Sequence, residues 1–168
     1  MKPRRYTGNK DGAAKGRRAG MVEFIAQIVQ RSDGALWNNG DYGIRDMRSK
    51  AGVLSVHASG RAVDLSWRHV QIDGVCRGKP KGRAAALAWR ATLIRHADLL
   101  GIELLIDYFP KPHGGAYKCS RQKFVKYDVK MVSGAPNGDW FHIELSPAMS
   151  DDPVAVRAAF TQIFLGVE

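Results

Sequence analysis

The residues best suited to chemistry fall in two short stretches, Ser55-Val-His57-Ala-Ser-Gly60-Arg-Ala62-Val-Asp64 and Asp139-Trp-Phe-His142-Ile-Glu144. His57, His142 and Asp64 are two imidazoles and a carboxylate, a set that can hold one divalent zinc and leave a coordination position open. A closed structural site would use four protein ligands and more cysteine. This chain has two cysteines, Cys76 and Cys119, without Cys-x-x-Cys spacing, and both are expected as free thiols. The seven-residue step from His57 to Asp64 is long enough for a turn to bring both side chains to one point. In residues 140–145 strand alternation puts Trp140, His142 and Glu144 on one face, with Phe141 and Ile143 pointing into a core. Glu144 lies about 6–7 Å beyond His142 along such a strand. That suits a residue that orients the imidazole by hydrogen bonding.

Elements must hold these groups in place. Met21, Phe24/Ile25 and Ile28/Val29 recur at helical spacing and predict an amphipathic helix over 18–30. Residues 34–54, with Asn38-Asn39-Gly40 and Asp41-Tyr42-Gly43, read as loops beside a site. Ala62–Trp67 alternates as a strand, and 74–82 reads as a basic turn region. Residues 83–100 form an Ala-rich helix capped by Gly101, and 102–108 a buried strand. A hairpin is expected around 124–132 and a strand over 140–145. One last helix starts near Ser150-Asp151-Asp152-Pro153 and stops at Gly166. The order predicts an α+β fold with a small, mainly antiparallel sheet and flanking helices.

The chain has 168 residues and a formal net charge of +10, so anionic partners are expected. Residues 1–20 hold seven Lys/Arg against one acid, a net of +6, which leaves +4 for the other 148. The charge therefore predicts a basic, flexible N-terminal arm over 1–19 and a single domain over 20–168. No segment has the length or apolarity of a membrane span or the apolar core of a secretory signal. Nucleic acid is not expected as a partner, because the folded part lacks interleaved basic and aromatic residues.

Ser55-x-His57-x-x-Gly60-x-Ala62-x-Asp64 resembles the first signature of the zinc D-alanyl-D-alanine peptidases, the group that includes lysostaphin-type enzymes and hedgehog domains. Five specified residues in ten arise by chance on the order of once per million start positions. Asp139-Trp140-Phe141-His142 resembles the second signature, an acid three residues before a Trp-flanked histidine. The overall spacing is similar to that of peptidoglycan peptidases of phages, and the likeness spans roughly residues 40–146.

The resemblance implies a hedgehog-like fold and Zn²⁺ held by His57, Asp64 and His142, with water as the fourth ligand. It also implies a carboxylate as general base. The family uses glutamate there, whereas this chain has Asp139, one methylene shorter, which reaches only if Pro136-Asn137-Gly138 brings the backbone closer. Glu144 is the alternative base. An arginine upstream of the first signature would stabilise the oxyanion; Arg48 is preferred for this, and Arg45 is placed with Ser55 at the substrate. The activity implied is hydrolysis of a peptide bond in peptidoglycan stem peptides by a phage endolysin or virion lysin. Such a lysin would stay in the host cytoplasm or the virion until it meets the wall, and the arm would adsorb to anionic wall polymers. The alternatives are a cytoplasmic D,D-dipeptidase or carboxypeptidase, and a catalytically degenerate wall-binding module that retains the metal site.

Overall fold

The computed structural model describes residues 2–47 and 50–166. Its strands are β1 (Trp37–Gly40), β2 (Asp46–Met47), β3 (Lys50–Leu54), β4 (Ala62–Ser66), β5 (Val70–Ile72), β6 (Val75–Arg77), β7 (Ile102–Asp107), β8 (Gly115–Lys118), β9 (Lys123–Lys126) and β10 (Trp140–Leu145). The helices among the described residues are α1 (Ala19–Arg31), α2 (Gly82–Arg95), α3 (Pro147–Asp151) and α4 (Pro153–Leu165).

Six strands form one antiparallel sheet in the order β1-β4-β10-β7-β8-β9, so the fold is α+β. Strand alternation divides its two faces. Val63 and Leu65 of β4, Leu105 of β7 and Phe141, Ile143 and Leu145 of β10 are fully buried. They form one core with Phe24 and Ile28 of α1, Leu93 of α2 and Val156 and Phe160 of α4. The opposite face presents Asp64, Leu104, Ile106, Trp140, His142 and Glu144 to a cleft of about 530 Å³.

Several boundaries differ from the sequence reading. The 83–100 helix ends at Arg95, and residues 96–101 continue as turns, so His96 and not Gly101 is its C-cap. The C-terminal helix α4 runs from Pro153 to the Gly166 cap as expected, and the difference there is a short extra helix, α3, which the Asp152 cap on the Val154 and Ala155 amides separates from it. The hairpin expected around 124–132 lies earlier, as β8 and β9. The stretch 34–54 contains β1 and the β2–β3 ribbon, and the basic turn region overlaps a β5–β6 hairpin. These strands are two to five residues long, too short for alternation to mark them, and backbone pairing defines them instead. Both cysteines are free, Cys76 exposed and Cys119 buried.

The N-terminal segment is not a loose arm. Residues 4–18 run along the domain as a strap. The Arg4 amide donates to the Cys119 carbonyl at 3.1 Å, and the Ala14 amide to the Ala58 carbonyl at 2.8 Å. The Arg4 guanidinium binds Asp98 at 2.7 Å, Arg17 binds Asp41 at 3.0 Å, and Arg18 binds Asp11 at 3.3 Å. Charges that suggested a solvated tail are thus partly engaged in ion pairs, and the charge run alone carried no sign of those distant partners. Arg61 anchors the strap from below. Its side chain is wholly buried, and it donates to Asp11 at 2.8 Å and to the carbonyls of Gly8 and Leu145.

Gly20, at the start of α1, lies where the helix touches α3. A β-carbon there would sit 2.0 Å from the Met149 carbonyl oxygen and 2.7 Å from that of Ser150. Gly20→Ala should therefore destabilise the fold by about 1–3 kcal/mol, the usual cost of overpacking. Gly16→Ala, with nothing within 4 Å of the new carbon, should leave the urea midpoint nearly unchanged. Equal midpoints for the two variants would contradict this packing.

Candidate metal centre

β4 and β10 pair in a register that sets the Cα of His142 opposite that of Asp64. Both side chains therefore rise from the cleft face at adjacent positions. His57 reaches them from the turn between β3 and β4. Gly60 permits that turn: its φ is +71°, and a β-carbon would crowd Arg18 Cγ and the Gly16 carbonyl oxygen at 3.2 Å.

The three donor atoms converge. His57 Nε2 lies 3.2 Å from His142 Nδ1, and His142 Nδ1 lies 3.1 Å from Asp64 Oδ1. His57 Nε2 and Asp64 Oδ1 are 3.5 Å apart. A tetrahedral zinc with bonds of about 2.0–2.1 Å requires ligand separations of about 3.3 Å, so the set fits. His57, Asp64 and His142 can therefore hold a metal ion.

The ring atoms facing away are also partnered. His57 Nδ1 faces the carbonyl oxygen of Asp41, which leaves Nε2 directed at the cluster. His142 Nε2 is 2.9 Å from Glu144 Oε1, which directs Nδ1 the same way. Glu144 in turn accepts the Tyr6 hydroxyl on Oε2 at 2.7 Å. Carboxylates and carbonyls in this position fix the tautomer and orientation of a metal-binding imidazole.

The electrostatics follow from burial and pairing. Burial alone would lower the His142 pKa, but hydrogen bonds to Asp64 and Glu144 outweigh it and raise it from 6.5 to about 9. Burial would raise Asp64, yet His142 and His57 hold its carboxyl far below the usual range. Glu144 is lowered in the same way: burial opposes the shift, and the His142 bond and charge override it. Burial, and then the charge of Glu144, push the Tyr6 hydroxyl upward, so it remains a donor.

The other expected site residues fall as follows. Ser55 lines the cleft, and its Oγ accepts the His57 amide at 3.3 Å. Arg45 also lines the cleft, with its carbonyl accepting the Ser55 amide at 2.9 Å. Asp139 is half-buried just before β10 and is not among the residues that line the cleft. Its carbonyl accepts the Trp67 amide and the Ser66 hydroxyl, its Oδ2 lies 3.8 Å from Arg68 Nε, and its buried Oδ1 accepts no hydrogen bond. Arg48 lies outside the described residues.

Sequence reasoning missed Tyr6, Asp41, Arg61 and Arg68. Arg61 lies inside the first signature at an unspecified position and Arg68 follows it, but only the strap and the β1 edge give them meaning. Asp41 acts through its backbone, which no side-chain pattern reveals. The stacked Tyr108 and Trp140, with ring centroids 4.7 Å apart, complete one wall of the cleft. No helix among the described residues is long and apolar enough to cross a membrane. No protein-family model, curated protein or solved structure matches the chain.

Because His142 is protonated up to about 9 in the metal-free protein, zinc must displace that proton. Zinc affinity should rise roughly tenfold per pH unit through the neutral range and level off above about pH 9. Without metal the sign reverses. A pKa raised on folding stabilises fully below 6.5, and this contribution is lost as pH rises through about 9. Chelator-competition titrations and urea unfolding across pH 6–10 would check both trends. A zinc affinity indifferent to pH would argue against a protonated His142.

Proposed function

We propose that the chain is a zinc-dependent peptidase that hydrolyses a peptide bond in bacterial peptidoglycan stem peptides, with a hedgehog-like arrangement of its site. The observation that carries the reading is the convergence of His57 Nε2, Asp64 Oδ1 and His142 Nδ1 to within 3.1–3.5 Å at the wall of an open cleft. The sequence around these residues resembles the two signatures of the zinc D-alanyl-D-alanine peptidases, in which the same positions bind the metal. Zinc, when bound by such a set, supplies Lewis acidity towards a water and a scissile carbonyl.

The chain's own residues supply the remainder. Asp139 serves as general base. It takes that role from the second signature, in which an acid stands three residues before the histidine, and would accept the proton of the attacking water and return it to the leaving amine. Glu144 is committed to His142 and Tyr6, which makes it an orienting group and removes it as the alternative base. Arg45 and Arg68 bring two guanidinium groups to the cleft wall, where they bind carboxylates of an acidic peptide. The setting is that of a phage endolysin or virion-carried lysin, and exposed strap cations such as Lys10 and Lys15 assist adsorption to anionic wall polymers.

Purified protein should contain about one zinc per chain and clear a gel of embedded cell walls, and a chelator should abolish the clearing. Zinc retention without clearing would favour a wall-binding module. Mass spectrometry of the released peptides would distinguish carboxypeptidase from endopeptidase cleavage. Asp139→Asn should lower turnover by about 100-fold or more while zinc remains bound. Near-normal turnover in that variant would move the base elsewhere. His57→Ala should lose the metal and the activity together.

A further inference from the structure

We infer that the N-terminal strap is part of the metal centre, with Tyr6 as a positioning residue that sets the orientation of His142 through Glu144. The inference rests on the zinc reading above and assigns a task within that site to a segment outside both signature stretches. A relay of two hydrogen bonds connects them: the Tyr6 hydroxyl to Glu144 Oε2 at 2.7 Å, and Glu144 Oε1 to His142 Nε2 at 2.9 Å. Glu144 is buried, so a solvent molecule is a poor substitute for the lost donor.

The strap is clamped on both sides of Tyr6. Upstream, Arg4 donates to Asp98 at 2.7 Å and to the Ala97 and Ile102 carbonyls at 3.1 and 2.6 Å. Downstream, the Thr7 amide and hydroxyl donate to the two oxygens of Glu103 at 3.0 and 2.7 Å, and Arg61 holds Gly8 and Asp11. The Lys118 ammonium sits 4.0 Å over the Tyr6 ring and covers it. A phenol fixed at so many points has little freedom, so its hydroxyl holds the Glu144 carboxylate in the one rotamer that meets His142. Tyr6, Gly8 and Asn9 also line the cleft, which makes the strap a wall of the site as well as its support.

The test compares Tyr6→Phe, which keeps the ring and deletes only the hydroxyl, with Thr7→Val, which loosens the same strap without touching the relay. Tyr6→Phe should weaken zinc binding by about tenfold or more in a chelator competition and alter the visible spectrum of the cobalt-substituted protein. Thr7→Val, which removes one clamp but keeps the relay donor, should reduce zinc affinity several-fold less than Tyr6→Phe does. Tyr6→Phe combined with Glu144→Gln should bind zinc no more weakly than Glu144→Gln alone, because the two groups act in series. Wild-type zinc affinity in Tyr6→Phe, or an equal loss in Thr7→Val, would overturn the assignment of Tyr6. Absence of zinc binding by the unaltered protein would instead bring down the metal reading itself, a result distinct from either.

Discussion

The site depends on the register between β4 and β10. Pairing His142 with Asp64 puts two donors on the same face of adjacent strands. It also sends Phe141, Ile143, Val63 and Leu65 into the core on the other face. A shift of one residue would send the apolar set into the cleft and the donors into the core, and hydrophobic burial opposes that strongly. The packing that makes the fold thus also selects the geometry of the candidate metal centre. His57 is the one donor outside this register, and the Gly60 turn and the Asp41 carbonyl hold it there.

Buried charge is the second constraint. Arg61, Glu103, Glu144 and His142 lie together beneath the strap, and each would be costly to bury alone. They compensate one another in a chain: Arg61 with Asp11 and Glu103, Glu103 with Thr7, and Glu144 with Tyr6 and His142. Three of the compensating partners, Tyr6, Thr7 and Asp11, are strap residues. The strap and the polar face of the sheet therefore satisfy each other. Such networks contribute more to a unique arrangement than to net stability, which suits a site that must keep imidazoles in one orientation.

What the sequence made legible was local. Strand alternation over 140–145 was enough to group Trp140, His142 and Glu144, and the helices near residues 19–31 and 153–165 followed from apolar periodicity and capping residues. What it concealed was non-local. A run of Lys and Arg looks like a solvated tail until Asp98, Asp41 and Asp11 are seen beside it, and the signature leaves the identity of residue 61 open. The ribbon β2–β3 and the hairpin β5–β6 were missed because their strands, two to five residues long, are too short for alternation to mark them. The register that joins Asp64 to His142 across 78 positions is set by the assembled sheet, so the sequence supplied the ligand types and the fold supplied their distances.

The aspartate at position 139 shows how the two levels meet. An aspartate, one methylene shorter than the glutamate of the signature it resembles, depends more on where its main chain is held. Here that main chain is tightly held. The Asp139 carbonyl is bound by the Trp67 amide at 3.1 Å and the Ser66 hydroxyl at 3.0 Å, and the preceding turn is tied to Phe109 through the Asn137 amide at 3.1 Å. Gly138 brings the turn in: a β-carbon there would meet Tyr108 Cβ at 2.6 Å and the Gly134 carbonyl at 2.7 Å, so no larger residue allows the same approach. The Asp139 carboxylate thus stands on a backbone packed as closely as glycine permits.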